Sequence, residues 1–259
     1  MKIFFLRVFE KNIRIKKKLY LCKKNYLYLV LIKYLYIMNV AFLDFRKIIA
    51  KIVKPHSKSN FLRKINSSGK LLDVGCGNDS SYNAKKKCPN IHYTGIDIVD
   101  YNQQKTNLSD EYIITTPEKF ADTIANMSMR YDAVVSSHNL EHCNDRENTL
   151  IAMVKVLKSG GYLYLSFPTE NSVNFPSRKG TLNYYDDPTH KDAPPNFDKV
   201  MTFLKANNME IIFASKSYKP FFLYIMGALL EWKSKKDKKV KSWNWAYWGF
   251  EVVIWAKKK

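Results

Sequence analysis

Lys70-Leu-Leu-Asp-Val-Gly-Cys-Gly-Asn-Asp-Ser80 is the stretch that decides the fold. A short apolar run suited to a buried strand enters a two-glycine turn and then a helical pattern. Gly75 and Gly77 can take positive φ and let the backbone approach a ligand closely. Ser80 suits the N-cap of the following helix. A strand ending in G-x-G is a weak signal alone, since a tight turn without any ligand reads the same way.

Twenty-two residues beyond Gly75, a second strand-like run, His92-Tyr-Thr-Gly-Ile-Asp97, ends in an acid. That is one β-α-β unit in length, and a carboxylate there can accept hydrogen bonds from both ribose hydroxyls of a nucleoside. Asp97 read alone could equally cap a surface turn; the two features together favour nucleoside binding. A pyrophosphate fits poorly, because the helix start that would hold it is preceded by Asp79. S-adenosylmethionine has no phosphate and carries a positive sulfonium and ammonium, which Asp73 and Asp79 suit.

Outward from this unit, strand-like and helix-like runs alternate. Strands are expected at 70–74, 92–96, 112–115, 133–136, 162–167, 210–215 and 250–256, and helices at 80–87, 117–127, 146–157 and 196–207. Alternation of this kind implies crossover connections, hence an α/β fold with a seven-stranded, mostly parallel, Rossmann-like sheet and helices on both faces. Residues 58–69 read as a polar linker. Two insertions interrupt the pattern, 168–195 and 219–248.

The runs LLDVGCGNDS, YTGIDI, YDAVVSSHNLEH and LKSGGYLYLSFP occur in that order, from Lys70 to Pro168. The set resembles the class I S-adenosylmethionine-dependent methyltransferases. That resemblance implies S-adenosyl-L-methionine as cofactor and an antiparallel last strand inserted between the fifth and sixth. It places Asp73, Gly75 and Gly77 along the methionine part, Asp97 on the ribose, Thr116, Pro117 and Glu118 at the adenine, and Cys76, Ile98 and Ser137 beside the cofactor. The chain departs from the pattern at Asp79, where a third glycine is usual, and at Thr116-Pro-Glu118, where many relatives carry Asp.

The segment Ser136-Ser-His-Asn-Leu-Glu-His142 follows the fourth strand, at the sheet edge where open α/β proteins bind ligands. Methyl transfer requires alignment and an unprotonated nucleophile; a hydroxyl acceptor also needs a base for its proton. His138 is the first candidate for contact with acceptor or cofactor, and His190, in the insertion, is the candidate base. Glu141 and His142 read as caps of the next helix. Glu170 and Tyr184 are candidate liners of an acceptor pocket. Asp186, Asp187, His190 and Asp192 crowd seven residues but match neither calcium-loop nor zinc spacing, so no metal is expected. SSHNL stands where DNA amino-methylating enzymes carry a proline-rich aromatic motif, which disfavours base amino groups.

The 43 Lys and Arg against 23 Asp and Glu give a net charge of +20. The excess sits at the ends: residues 1–37 hold ten basic and one acidic, and 233–259 hold nine and two. A nearly balanced centre favours an anionic membrane surface over nucleic acid as partner. The leader 1–37 lacks a signal-peptide cleavage site and reads as an interfacial helix or as translated upstream sequence, with Met38 the start. Residues 38–66 are expected to form a lead-in helix (41–54) and linker, and 67–259 the catalytic domain. The apolar run 220–230 is too short to span a bilayer and reads as a core helix or, with the lysines of 233–241, as an interfacial anchor. Cys22, Cys76, Cys88 and Cys143 form no C-x-x-C pair, in keeping with a reduced, cytoplasmic compartment.

These readings converge on methylation of a small molecule or saccharide, most economically at oxygen, in the cytoplasm or at the inner membrane face. The rivals are an RNA methyltransferase and a silent fold serving as a membrane- or partner-binding module.

Overall fold

The computed structural model describes residues 51–101, 107–241 and 243–259. The expected N-terminal extension and most of the lead-in helix lie outside them. Residues Val53–Lys259 form one compact unit, which carries the sheet.

Seven strands form one sheet: β1 Lys70–Val74, β2 His92–Asp97, β3 Glu111–Ile114, β4 Tyr131–Ser137, β5 Leu157–Pro168, β6 Met209–Ser215 and β7 Glu251–Lys258. Their order is β3-β2-β1-β4-β5-β7-β6. β1 to β5 pair in parallel, and β7 runs antiparallel between β5 and β6. All seven expected strands are present. The order reverses at β1/β4, where the crossovers diverge to opposite sides and leave a crevice beyond the carboxyl ends.

Strand alternation divides the core. Leu72, Val74, Val134 and Leu165 face one side, where α3 (Phe120–Ala125), α4 (Arg146–Val156) and α5 (Phe197–Ala206) pack through Ile124, Leu150, Val154 and Leu204. Leu71, Tyr93, Val135, Val253 and Trp255 face the other, against α1 (Lys58–Leu62) and α2 (Ser80–Lys85) through Phe61, Leu62 and Ala84. Burial on both faces explains why β1 reads as a continuous apolar run.

The expected linker at 58–69 is corrected: its first five residues are α1. Ser57 Oγ accepts from Asn60 N at 3.3 Å, and Phe61 and Leu62 are 2% and 3% exposed. A serine cap and two buried side chains outweigh the polar composition. The insertion 168–195 holds 3₁₀ turns at Glu170–Asn174 and Tyr184–Asp186, with Leu182 and Tyr184 buried. The second insertion contains α6 (Phe221–Asp237) and α7 (Asn244–Trp248). Among α6 residues only Gly227 and Ser234 are buried, which removes the core-helix reading. No helix among the described residues is long and apolar enough to cross a membrane.

Candidate active site

The loop after β1 turns through positive φ at Gly75 (69°), Gly77 (56°) and Asp79 (61°). Asp79, in left-handed conformation, holds the N-cap position of α2 where Ser80 was expected. The turn frees Ser80 Oγ to donate to Asp73 Oδ2 at 2.6 Å. The two glycines serve different ends. A Cβ on Gly75 would lie 2.2 Å from Asn139 Oδ1, whereas among the described residues nothing lies within 4 Å of a Cβ on Gly77. Space for a ligand therefore opens over Gly77.

Asp97 closes β2 beside that space and is 5% exposed. Gly77 N donates to its Oδ2 at 2.7 Å and Ile98 N to its Oδ1 at 2.8 Å. Burial raises its pKa, and the two backbone donors pull against that rise. Each carboxylate oxygen keeps a lone pair for a hydroxyl donor. Thr116, Pro117 and Glu118 are exposed at the end of β3, next to β2, where Thr115 N bonds Asp97 O at 3.0 Å. Cys76 turns inward: a Cβ on the core-facing Gly95 would lie 3.0 Å from its Sγ, and burial raises the thiol pKa. Cys76 thus offers the crevice main chain only.

Asp73 is fully buried and already engaged. Lys58 Nζ donates to Oδ1 and Oδ2 at 3.2 and 3.0 Å, and Tyr93 Oη donates to Oδ2 at 2.9 Å. A role toward the methionine part of a cofactor passes through Lys58 and Ser80, which the motif did not reveal.

Beyond β4, Ser137 Oγ lies 3.0 Å from Ser166 Oγ, and His138 takes positive φ (53°). Its Nδ1 lies 3.1 Å from Glu141 Oε1 and its Nε2 3.4 Å from Glu251 Oε1, while Lys54 Nζ pairs with Glu251 Oε2 at 2.9 Å. Burial alone would lower the His138 pKa; Glu141 and Glu251 override it and raise it to about 9. His138 is therefore a cation within a charged chain, not a proton acceptor. Glu251 was invisible in the sequence, lying 113 residues away on the antiparallel strand.

Glu141 and His142 do not cap α4; Asp145 does, accepting from Asn148 N at 3.0 Å. They form instead a 3₁₀ turn, Leu140–His142, against which the insertion is strapped. Arg146 donates from Nε to Leu140 O (3.0 Å), from Nη1 to Ala193 O (2.6 Å), and from Nη2 to Glu141 O (3.3 Å) and Lys191 O. Lys191 N returns a bond to Glu141 O at 2.8 Å. This strap brings His190 onto His142, with ring centroids 4.8 Å apart. The His190 side chain is 4% exposed, and burial lowers its pKa, against the pull of the Tyr184 carbonyl and Glu141.

The acids of the insertion disperse: Asp186 accepts from Arg178, Leu182 and Asn183 backbone N–H groups. Tyr184 is fully buried, its hydroxyl donating to Lys191 O at 2.8 Å. Glu170 accepts from Asn196 Nδ2 at 2.5 Å and lines a cavity of about 1120 Å³ beside α4 and α5 that no candidate cofactor residue borders.

The family described as "Methyltransferase domain" matches residues 45–213, most of the described unit. The chain belongs to the class I S-adenosylmethionine-dependent methyltransferases. A curated relative, the ubiquinone biosynthesis O-methyltransferase of Saccharophagus degradans, is 34% identical over 109 residues, covering 39% of this chain and 44% of that protein. The chain thus spans under half the length of the curated relative. Among solved structures, the plantazolicin methyltransferase BpumL in complex with SAH aligns with a TM-score of 0.53 at 17% identity, covering 83% of this chain and 88% of that one. An S-adenosylmethionine-dependent methyltransferase from Mesorhizobium loti aligns with a TM-score of 0.52 at 13% identity over 76% and 96%. These last two show the fold.

The methyltransferase crevice fits its cofactor. The open space over Gly77 lies beside an acceptor-only carboxylate suited to two ribose hydroxyls. Exposed Thr116 to Glu118 stand one strand away, on the side an adenine would occupy. Asp97 offers the crevice a carboxylate, while the charge of Asp73 is paired with Lys58.

Proposed function

We propose that this methyltransferase transfers a methyl group to a hydroxyl oxygen of a small molecule or saccharide. The observation that carries this reading is His190, its side chain buried against His142 of the turn after β4 and its Nδ1 proton held by the Tyr184 carbonyl, which leaves Nε2 to accept a proton. An amine acceptor needs no base once neutral, whereas a hydroxyl must lose its proton as the new bond forms. The curated relative from Saccharophagus degradans, an O-methyltransferase, supports the same choice.

S-adenosylmethionine supplies a methyl carbon made electrophilic by the sulfonium. The acceptor oxygen's lone pair would form the new C–O bond, the C–S electron pair would stay on sulfur, and the hydroxyl proton would pass to His190 Nε2, whose Nδ1 proton is held by the Tyr184 carbonyl. The chain's own residues would bind and align: Asp97 the ribose and the Gly77 main chain the cofactor body, while His138 Nδ1 holds Glu141 Oε1 at 3.1 Å.

α6 suggests where the acceptor is met. Phe221, Leu229 and Trp232 are 70%, 65% and 60% exposed, and Lys233, Lys235 and Lys236 follow on the same helix. We propose that this face lies on an anionic membrane, at its cytoplasmic side.

The test is transfer of labelled methyl from S-adenosylmethionine to panels of hydroxyl, amine and RNA acceptors. Label in ethers supports the reading. Label in amines or RNA alone overturns it, and failure to bind S-adenosylhomocysteine would leave a silent scaffold.

A further inference from the structure

Three ligand-bearing side chains converge in the turn that follows β4. Glu141, His142 and His190 each present one donor atom, and these atoms lie within 4.8 Å of one another. Their hydrogen bonds leave one ring nitrogen free on each imidazole. His190 Nδ1 donates to the Tyr184 carbonyl at 2.5 Å, which places the proton on Nδ1 and the lone pair on Nε2. Thr189 Oγ1 donates to Asp187 Oδ1 at 2.6 Å, so it accepts from His142 Nδ1 at 2.9 Å and leaves the lone pair of that ring on Nε2 as well. Both imidazoles thus have an outer partner of the kind that orients metal-binding histidines.

The carboxylate supplies the second, independent observation. Glu141 is completely buried; its Oε1 meets His138, while Oε2 has no hydrogen-bond partner among the described residues. A buried carboxylate oxygen left unsatisfied costs on the order of 1–3 kcal/mol, and native proteins seldom leave one without a purpose. Asp187 Oδ2 stands 4.0 Å from His190 Nε2, close enough to join. Arg146 holds the two halves of the cluster together through carbonyls on both sides.

We propose that Glu141, His142 and His190 bind a divalent transition-metal ion. Two imidazoles and one carboxylate form a donor set that favours nitrogen-preferring ions such as zinc over magnesium or calcium. Bonds of about 2.1 Å require donor separations of about 3.4 Å in a tetrahedral site, so the side chains would close inward by about 1 Å on binding. With three protein donors the ion would keep an open position. A hydroxyl acceptor bound there would have its pKa lowered and its proton would leave to solvent, because the Nε2 lone pair of His190 is then held by the ion and no longer takes the proton directly. This last role rests on the O-methylation reading; the site itself does not.

The experiment is calorimetric titration of zinc chloride into the full chain stripped with chelator, with and without S-adenosylhomocysteine. One equivalent is expected at a Kd of micromolar or below. His142→Gln and His190→Gln should each weaken binding at least tenfold while S-adenosylhomocysteine affinity stays within about threefold of wild type, which shows that the crevice is folded. Cobalt(II) in place of zinc should give visible bands without a thiolate charge-transfer band. Absence of stoichiometric uptake by wild type, unchanged affinity in both variants, or a thiolate band overturns the site. Ether formation by protein that takes up no zinc removes the metal and leaves O-methylation standing; zinc uptake by protein that methylates only amines does the reverse.

Discussion

Asn139 occupies the space that a side chain on Gly75 would need: a Cβ there would lie 2.2 Å from Asn139 Oδ1 and 2.6 Å from its Cβ. The turn after β4 is thereby seated directly on the glycine loop after β1. Gly75→Ala meets this contact and the strain of positive φ, about 3 kcal/mol together. Gly77→Ala meets the strain alone, about 1 kcal/mol. Melting temperatures should fall by about 9 °C and about 3 °C respectively. Gly77→Ala should nonetheless weaken S-adenosylhomocysteine binding at least tenfold, because its methyl enters the ligand space. Equal melting losses, or intact binding in Gly77→Ala, would refute this division of labour.

Asp97 carries the ribose assignment. Asp97→Asn keeps the volume but replaces one acceptor oxygen with a donor, facing both the Gly77 N–H and a ribose hydroxyl. Cofactor affinity should drop by tenfold or more, read by calorimetry with S-adenosylhomocysteine. Far-ultraviolet circular dichroism should stay unchanged. An unaltered Kd would remove Asp97 from the site.

Much of this was legible in the sequence because it is local. Seven strands, the G-x-G turn and the acid 22 residues on are all written within single elements, where period and turn chemistry suffice. α1 was missed because two apolar residues in a polar stretch show no period; its signal was Ser57 three residues before Asn60. Long-range pairings had no signal. His138 finds Glu251 only because β7 inserts antiparallel beside β5, and His190 meets His142 only because Arg146 straps residues 191 and 193 to the turn after β4. Chemistry assigned to His138 from its position changes once two carboxylates are placed against it.

The His138–Glu251 pair also sets a pH window. His138 is raised from 6.5 to about 9, so its contribution is complete below pH 6.5 and lost as pH rises through about 9. Glu251 is lowered from 4.5 to about 2, despite burial that would raise it, by His138 and Lys54; its contribution is complete above pH 4.5 and lost as pH falls through about 2. The His138 pKa is raised, against burial, by Glu141 first and Glu251 second, and that of Glu251 is lowered by His138 and Lys54, so the two shifts share the His138–Glu251 contact and are not summed. The contribution of this pair should be constant between pH 4.5 and 6.5 and decline toward pH 9, while the lowered pKa of His190 adds a separate loss of stability as pH falls below 6.5. In His138→Gln the decline should vanish over a lower baseline. Denaturant titrations across that range decide it, and an equal slope in the variant would place the loss elsewhere.

α6 makes a prediction of its own. Seventeen residues long, it exposes Phe221, Phe222, Leu229 and Trp232 and ends among Lys233, Lys235 and Lys236. Burying an exposed leucine or tryptophan in the interface contributes about 1.5–3 kcal/mol, and each lysine near an anionic surface about 1 kcal/mol. Vesicles of phosphatidylglycerol should sediment the protein, and neutral phosphatidylcholine vesicles should not. Because the lysine contribution is screened within about 10 Å at 0.1 M salt, binding should weaken steeply as salt rises. Leu229→Asp with Trp232→Asp should abolish sedimentation, because two carboxylates at the contact face resist burial and repel anionic headgroups. Melting temperature should stay within about 2 °C, since neither side chain packs in the core. Sedimentation equal to wild type would assign membrane contact to another part of the chain.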